Sequence, residues 1–303
     1  YLNPGTASLT VTNCLFDGHK TLDSTTVNAR EGGGIYVFNG TLELSDTTFK
    51  DLTAQTTGGA LGFDGGGGDT VTVNNCIVNG HDSLDASVKN AQNGGGFWFN
   101  ANNGITVTDA TLTNCTSSSN GGAIYSDDGN NFKLTNVVID GHADGFDSTV
   151  TNASKGAGIY MASGSGNSMT ISGGSIQHCS ASDDAGGAIN VTSGKIVAFE
   201  GNVVLRNNPN EDEDTQQKNM VLEYDANTVI QTSSTGLGSD AWIGVYVADA
   251  QNNVHGKLAM DFGTYNNSEN GKKYLENFHN DRYGYTGEMD TDKSGSLIRW
   301  YGP

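Results

Sequence analysis

One short motif recurs six times in the first two thirds of the chain, and its spacing restricts the fold more than any other feature. It reads GGGIYVF from Gly32, GGALGF from Gly58, GGGFWF from Gly94, GGAIYS from Gly121, GAGIYM from Gly156 and GGAINV from Gly186. Each copy follows a second strand-like segment: LTVTNCLFDGH from Leu9, LELSDTTFKDL from Leu42, VTVNNCIVNGH from Val71, ITVTDATLTNC from Ile105, FKLTNVVIDGH from Phe132 and MTISGGSIQHC from Met169. Units this short cannot enclose a core alone and bury their apolar faces by stacking on neighbours. Residues 1–208 are therefore expected to form a parallel β-solenoid of about six to seven coils.

Aligning the copies gives apolar columns, which a stack converts into ladders with roughly 4.8 Å between coils. Val11, Leu44, Val73, Val107, Leu134 and Ile171 form one; Phe16, Phe49, Val78, Leu112, Ile139 and Ile176 form another. In the glycine-led strand, Ile35, Leu61, Phe97, Ile124, Ile159 and Ile189 make a third, and Val37, Phe63, Phe99, Met161 and Val191 a fourth. Polar residues alternate with these, the period-two pattern of strands with one buried face. The third motif residue alternates Gly34, Ala60, Gly96, Ala123, Gly158, Ala188, so the true unit is a double coil of about 62 residues. Odd coils also carry insertions, HKTLDSTTVNARE, HDSLDASVKNAQN and HADGFDSTVTNASK, where even coils have short links.

The fold class that follows is all-β: a right-handed, single-stranded parallel β-helix, the hand taken from the strong bias of parallel crossovers. Residues 209–303 lose the motif and are expected to supply a terminal coil and a β-rich capping subdomain. Within them VLEYDANTVIQT and WIGVYVADA read as strands, KKYLENF as a short helix and EMDTDKSGSLIRW as a closing hairpin.

With 43 Gly against 3 Pro and only 16% charged residues, little helix is expected. The net charge of −19 excludes nucleic acid, anionic lipid and polyanionic substrates as partners and favours neutral or cationic ones. No apolar run approaches the roughly 20 residues of a membrane span, so direct membrane insertion is not expected. The chain reads as a mature protein or excised fragment, monomeric in that form, and its Asn, Gly, Ser, Thr and Asp-rich turns suit an extracellular or surface-displayed solenoid.

Cys14 and Cys76 lie two coils apart in one column, Cys115 and Cys179 two coils apart in another. A disulfide needs Cα atoms within roughly 7 Å, so buried free thiols are expected. His19, His81 and His142 share a column with Leu52, Cys115 and Cys179, which makes them a semi-buried structural ladder; at roughly 9.6 Å apart they cannot share one metal.

The glycine-led motif, stacked with segments such as TNCLFDGH, resembles the right-handed β-helix repeats of bacterial surface adhesins, including the polymorphic outer-membrane proteins of chlamydiae and adhesin-like proteins of gut bacteria. The resemblance covers about two thirds of the chain. It implies a cell-surface or secreted adhesin, without a cofactor, whose partner is a glycan or protein on a host or neighbouring cell. The wider pectin-lyase-like fold also hosts polysaccharide-cleaving enzymes, so a glycoside hydrolase or polysaccharide lyase is the alternative. A structural stalk is the third reading.

Candidate site residues follow from what points outward. Between the two core columns of the glycine-led strand stand Tyr36, Gly62, Trp98, Tyr125, Tyr160 and Asn190. Outward aromatics offer flat apolar faces with a polar handle, suited to sugar rings or a protein partner. Alternatively the odd-coil insertions cover them, using Leu22 and Val27, Leu84 and Val88, and Phe146 and Val150. Those insertions share Asp23, Asp85 and Asp147, and Asn28, Asn90 and Asn152, as a polar ligand-binding rim, a set of calcium ligands or turn-forming Asx residues. If the protein is an enzyme, the acidic pairs Asp127-Asp128 and Asp183-Asp184 are the candidate catalytic carboxylates, although adjacent residues in an extended chain point to opposite sides. DTDKSGSL offers Asp290, Asp292 and Ser294 as calcium ligands, but Tyr301 stands where such a loop needs Glu, and a hairpin turn is the competing reading.

Overall fold

The computed structural model describes residues 8–18, 27–81, 88–101, 104–127, 131–143, 150–162, 168–183, 187–192, 196–210, 213–222, 229–247, 260–261, 274–281, 289–291 and 297–300. These residues are almost entirely β, and the long ladders are parallel. The first sheet stacks Ser8–Thr12, Thr41–Ser45, Thr70–Asn74, Ile105–Thr108, Phe132–Thr135, Ser168–Ser172, Ile196–Gly201 and Val229–Leu237 in that order. The second stacks Leu15–Asp17, Thr48–Lys50, Ile77–Asn79, Thr111–Thr113, Val138–Asp140, Ser175–Gln177, Val204–Leu205 and Trp242–Val247. The third stacks Ile35–Phe38, Leu61–Asp64, Phe97–Asn100, Ile124–Ser126, Ile159–Met161, Ile189–Val191 and Met220–Leu222. Each stretch of chain that adds one strand to every sheet is a coil, and the arrangement is consistent with a parallel β-solenoid.

A narrow strip links the second and third sheets along the stack. It pairs Ala29–Glu31 with Ala54–Thr57 and continues through the bridges Ala91↔Ser117 and Ala153↔Ala181. The ladders cross residue 208 without a break. Trp242–Val247 pairs with Val204–Leu205 through its first residues and with Met220–Leu222 through its last, joining the second and third sheets. Phe278–Asn280 then pairs with Trp242–Val247, and Tyr274 and Phe278 enter the main core cluster. The expected helix at KKYLENF is a 3-10 turn at Leu275–Asn277, and the expected hairpin pairs Met289–Thr291 antiparallel with Leu297–Trp300.

Strand registers place like residues one above another, and the inward columns make one continuous core. Leu42, Val71, Ile105, Phe132, Met169 and Val197 form an additional inward ladder ahead of the Val11 column. Full burial of each such side chain stabilises by about 1.5–3 kcal/mol. Ser126 interrupts the column of Phe63, Phe99 and Met161; its buried hydroxyl has no hydrogen-bond partner among the described residues.

Turns between the first and second sheets need one residue with a left-handed backbone. Asn13, Asp46, Asn75, Asp109, Asn136, Gly173 and Gly201 fill that column, all with φ between +48° and +66°. Asn and Asp tolerate this conformation best among residues with a side chain. They also alternate usefully, since Asn75 Nδ2 donates to Asp46 Oδ1 at 2.7 Å and Asn136 Nδ2 to Asp109 Oδ1 at 3.1 Å. An all-Asp column would stack like charges.

The double-coil period has a steric cause at the next corner. Even coils turn on Asp51, Asn114 and His178 in the left-handed region, and the carbonyls of these residues fill the space beside Gly18, Gly80 and Gly141 of the odd coils. A Cβ on those glycines would lie 2.2–2.4 Å from the carbonyl oxygens. Likewise Gly34, Gly96 and Gly158 make room for the side chains of Leu52, Cys115 and Cys179 of the following even coils. Each odd coil is thus shaped to its even neighbour.

All four cysteines are free; Cys76, Cys115 and Cys179 are buried, and burial pushes the Cys115 thiol up to about 12. Cys14 departs from the expected burial and is exposed; among the described residues its coil is paired on one side only. His81 is buried with Nε2 3.1 Å from Thr116 Oγ1, and His142 is half-buried; His19 lies outside the described residues.

Candidate functional site

The outward column of the third sheet is where the sequence placed its aromatics. Pairing gives Tyr36, Gly62, Trp98, Tyr125, Tyr160 and Asn190 in consecutive coils, then Val221 and Tyr246. Column membership does not make these residues equivalent. Tyr36 is 7% exposed and Asn190 is fully buried, so neither is part of an open face. The Tyr36 ring leans over Gly62, where an added Cβ would meet Cδ2 at 2.7 Å.

Tyr125 and Tyr160 stack on each other, with ring centroids 5.3 Å apart and planes 23° apart. In a ladder this turns ring faces along the stack. Burial, the nearby Asp127 charge and a hydrogen bond to that carboxylate push the Tyr125 hydroxyl pKa well up. Each tyrosine thus gives one ring face to the other.

Trp98 is different. It is half-buried, faces Gly62 on one side, and makes neither a ring contact nor a side-chain hydrogen bond among the described residues. Its indole N–H remains available as a donor.

A polar row that the sequence reading missed runs alongside. Asp64 and Asn100 pair across adjacent strands, and Asn100 Nδ2 donates to Asp64 Oδ1 at 2.9 Å. The backbone N–H of Asp127 donates to Phe99, which sets Asp127 on the other side of Asn100. Tyr36 Oη reaches only to 3.5 Å of Asp64 Oδ2. The resulting feature is one accessible indole beside Asp64, Asn100 and Asp127. It combines an apolar ring with hydrogen-bond acceptors. A polar residue two places after Gly62, Trp98 and Tyr125 was the available signal, but FD, FN and SD at strand ends read as ordinary turns.

Compared with protein-family models, curated proteins and solved structures, the chain matches none. The site is therefore judged on its chemistry alone.

The asparagines proposed as a ligand rim take a different role. Asn90 is buried; its Nδ2 donates to the carbonyls of Leu52 at 2.9 Å and Gly80 at 2.8 Å, and its Oδ1 accepts from Thr116 N at 2.8 Å. Asn152 repeats this with Cys115, Gly141 and Ser180. These amides hold backbone and cannot meet a ligand, which corrects the rim reading for both. Asn28 is exposed, with Oδ1 accepting from Thr53 N and Oγ1. Asp23, Asp85 and Asp147 lie outside the described residues, as do Leu22, Leu84 and Phe146 of the insertions. Val88 and Val150 are buried, whereas Val27 is exposed on the end coil.

Asp127 and Asp183 do not converge. Asp127 follows a third-sheet strand in coil 4, while Asp183 lies in the corner strip of coil 6, its N–H donating to Ser154 O. Asp128 and Asp184 lie outside the described residues. Of the candidate calcium ligands, Asp290 pairs across the hairpin with Arg299; Asp292 and Ser294 are outside the described residues. Among the described residues there is no group of three or more His, Cys, Asp or Glu side chains able to share a metal, and no helix long and apolar enough to cross a membrane.

Proposed function

We propose that this chain is a bacterial adhesin-like, extracellular protein whose solenoid side face binds a neutral glycan, with Trp98 as its anchor. The observation that carries the reading is the accessible Trp98 indole beside Asp64, Asn100 and Asp127. A sugar offers a C–H face to the ring and hydroxyl donors to the carboxylates, while the net charge of −19 disfavours acidic glycans. In this reading the coil is right-handed, as parallel crossovers nearly always are, and the Phe278–Asn280 strand with the C-terminal hairpin forms the cap. No cofactor takes part. The resemblance of the glycine-led repeat to surface adhesins supports the same assignment.

A glycan array with wild type, Trp98→Ala and Tyr125→Phe tests this reading. Loss of a buried aromatic anchor weakens binding by about 2 kcal/mol, roughly thirty-fold, whereas Tyr125→Phe keeps the stacked ring and most of the affinity. Equal binding by wild type and Trp98→Ala, or no glycan bound by either, overturns it. The alternative of a glycoside hydrolase draws on Asp64 and Asp127, which flank Asn100 about 9.6 Å apart at two strand spacings, near the upper limit for inverting enzymes. Release of sugar that stops in both Asp64→Asn and Asp127→Asn would replace the adhesin reading with that one.

A further inference from the structure

The end of the stack formed by Ser8–Thr12, Leu15–Asp17 and Ile35–Phe38 differs from every coil boundary behind it. Among the described residues each of these strands is terminal in its sheet order and pairs on one side only. Leu9, Val11 and Phe16, which belong to core columns, are only partly buried, whereas Leu42, Leu44 and Phe49 one coil further on are fully buried. Cys14 is exposed where Cys76 is buried. At the opposite end, Phe278–Asn280 covers the last long strand and Phe278 is buried.

The asparagine clamp indicates what this open end accepts. Asn90 and Asn152 each reach both ways, Nδ2 to an even coil's carbonyl on one side, at Leu52 or Cys115, and Oδ1 to an even coil's N–H on the other. Asn28 occupies the same position in coil 1 but makes only the second contact, to Thr53. Its Nδ2 has no acceptor among the described residues.

We propose that the Ser8 end is a docking surface for one further β-coil, of the even type. That coil would present parallel strand edges to all three sheets, apolar side chains to Leu9, Val11 and Phe16, and a backbone carbonyl to Asn28 Nδ2. The even type follows from the alternation in coils 1–6, where each odd coil clamps an even one. A second copy of the chain fits less well. At the far end Phe278–Asn280 already occupies the Trp242–Val247 edge, which leaves two copies to meet head to head, odd coil against odd coil with antiparallel edges.

The test is a graft on the full chain. Ser8 pairs with Thr41 and Thr41 with Thr70, so a copy of residues 41–69 placed directly before Ser8, replacing residues 1–7, enters Ser8 as the native segment enters Thr70. The readout is the modification rate of Cys14 by an aromatic disulfide reagent, Cys76, Cys115 and Cys179 being buried. The graft is expected to slow Cys14 at least ten-fold, to raise the thermal midpoint and to make Asn28→Ala destabilising where it was nearly silent before. A second graft, of residues 104–130 with the copied cysteine replaced by Ser so that no new thiol enters the assay, guards against one sequence failing to fold. Cys14 remaining fast in both grafts overturns the proposal. So does concentration-dependent protection of Cys14 with dimers in sedimentation of the ungrafted chain, which assigns the end to a second copy.

Discussion

His81 and Asp281 are buried titratable groups that respond to pH in opposite senses. Burial, with a smaller contribution from the Lys89 charge, lowers His81 to about 4. Burial raises Asp281 to about 7, against the two hydrogen bonds its carboxylate accepts from Asn219. For His81 the unfolded chain binds the extra proton between pH 4 and 6.5, so its contribution is complete above pH 6.5 and is lost on acidification, about 3 kcal/mol in all. For Asp281 the folded chain holds the proton between pH 3.8 and 7. Its contribution is complete below pH 3.8 and is lost as pH rises to 7, about 4 kcal/mol. The two largely offset one another between pH 4 and 6.5. Urea midpoints at pH 4, 5.5 and 7 should therefore vary little in wild type, rise with pH in Asp281→Asn and fall with pH in His81→Gln. Slopes unchanged from wild type in both variants would refute the assignment.

Between coils, the clamp asparagines are the connections most open to disruption. Replacing Asn90 by Ala removes four side-chain hydrogen bonds and strands the carbonyls of Leu52 and Gly80 and the N–H of Thr116. At about 1–3 kcal/mol for each buried group left unpaired, the loss should reach at least about 3 kcal/mol. Asn152→Ala should cost the same and the exposed Asn28→Ala under about 1 kcal/mol, measured by guanidinium unfolding; equal losses at all three positions would refute the clamp. The strands were legible in the sequence because burial on one face forces period two, so Val73, Val107 and Leu134 announce their column. The clamp was not legible. Asn90 looks the same whether its amide faces backbone or solvent, and only the path of the insertion decides. The aromatic column was equally readable as a column, but Tyr125 and Tyr160 hide their faces in each other while Trp98 does not, and ring orientation has no sequence signature. Asp64 and Asn100 escaped notice because strand-end polar residues are common wherever a chain turns.

Taken as a whole, the stack has a grain. Odd coils hold even ones on both sides through Asn90 and Asn152, and Lys89 Nζ reaches Thr151 O, 62 residues and two coils away. Stability in such an array is a sum of unit and neighbour terms, so loss of structure can proceed unit by unit. Drawn out by its two ends in an optical trap, the chain should lengthen in steps set by 62 residues, about 200 Å each once the roughly 9.6 Å occupied by two coils is subtracted. Steps of half that length would mean that single coils part independently. A tether that lengthens in steps caps the tension it transmits, so a grip at Trp98 would meet a load limited by the weakest coil pair instead of the full pull.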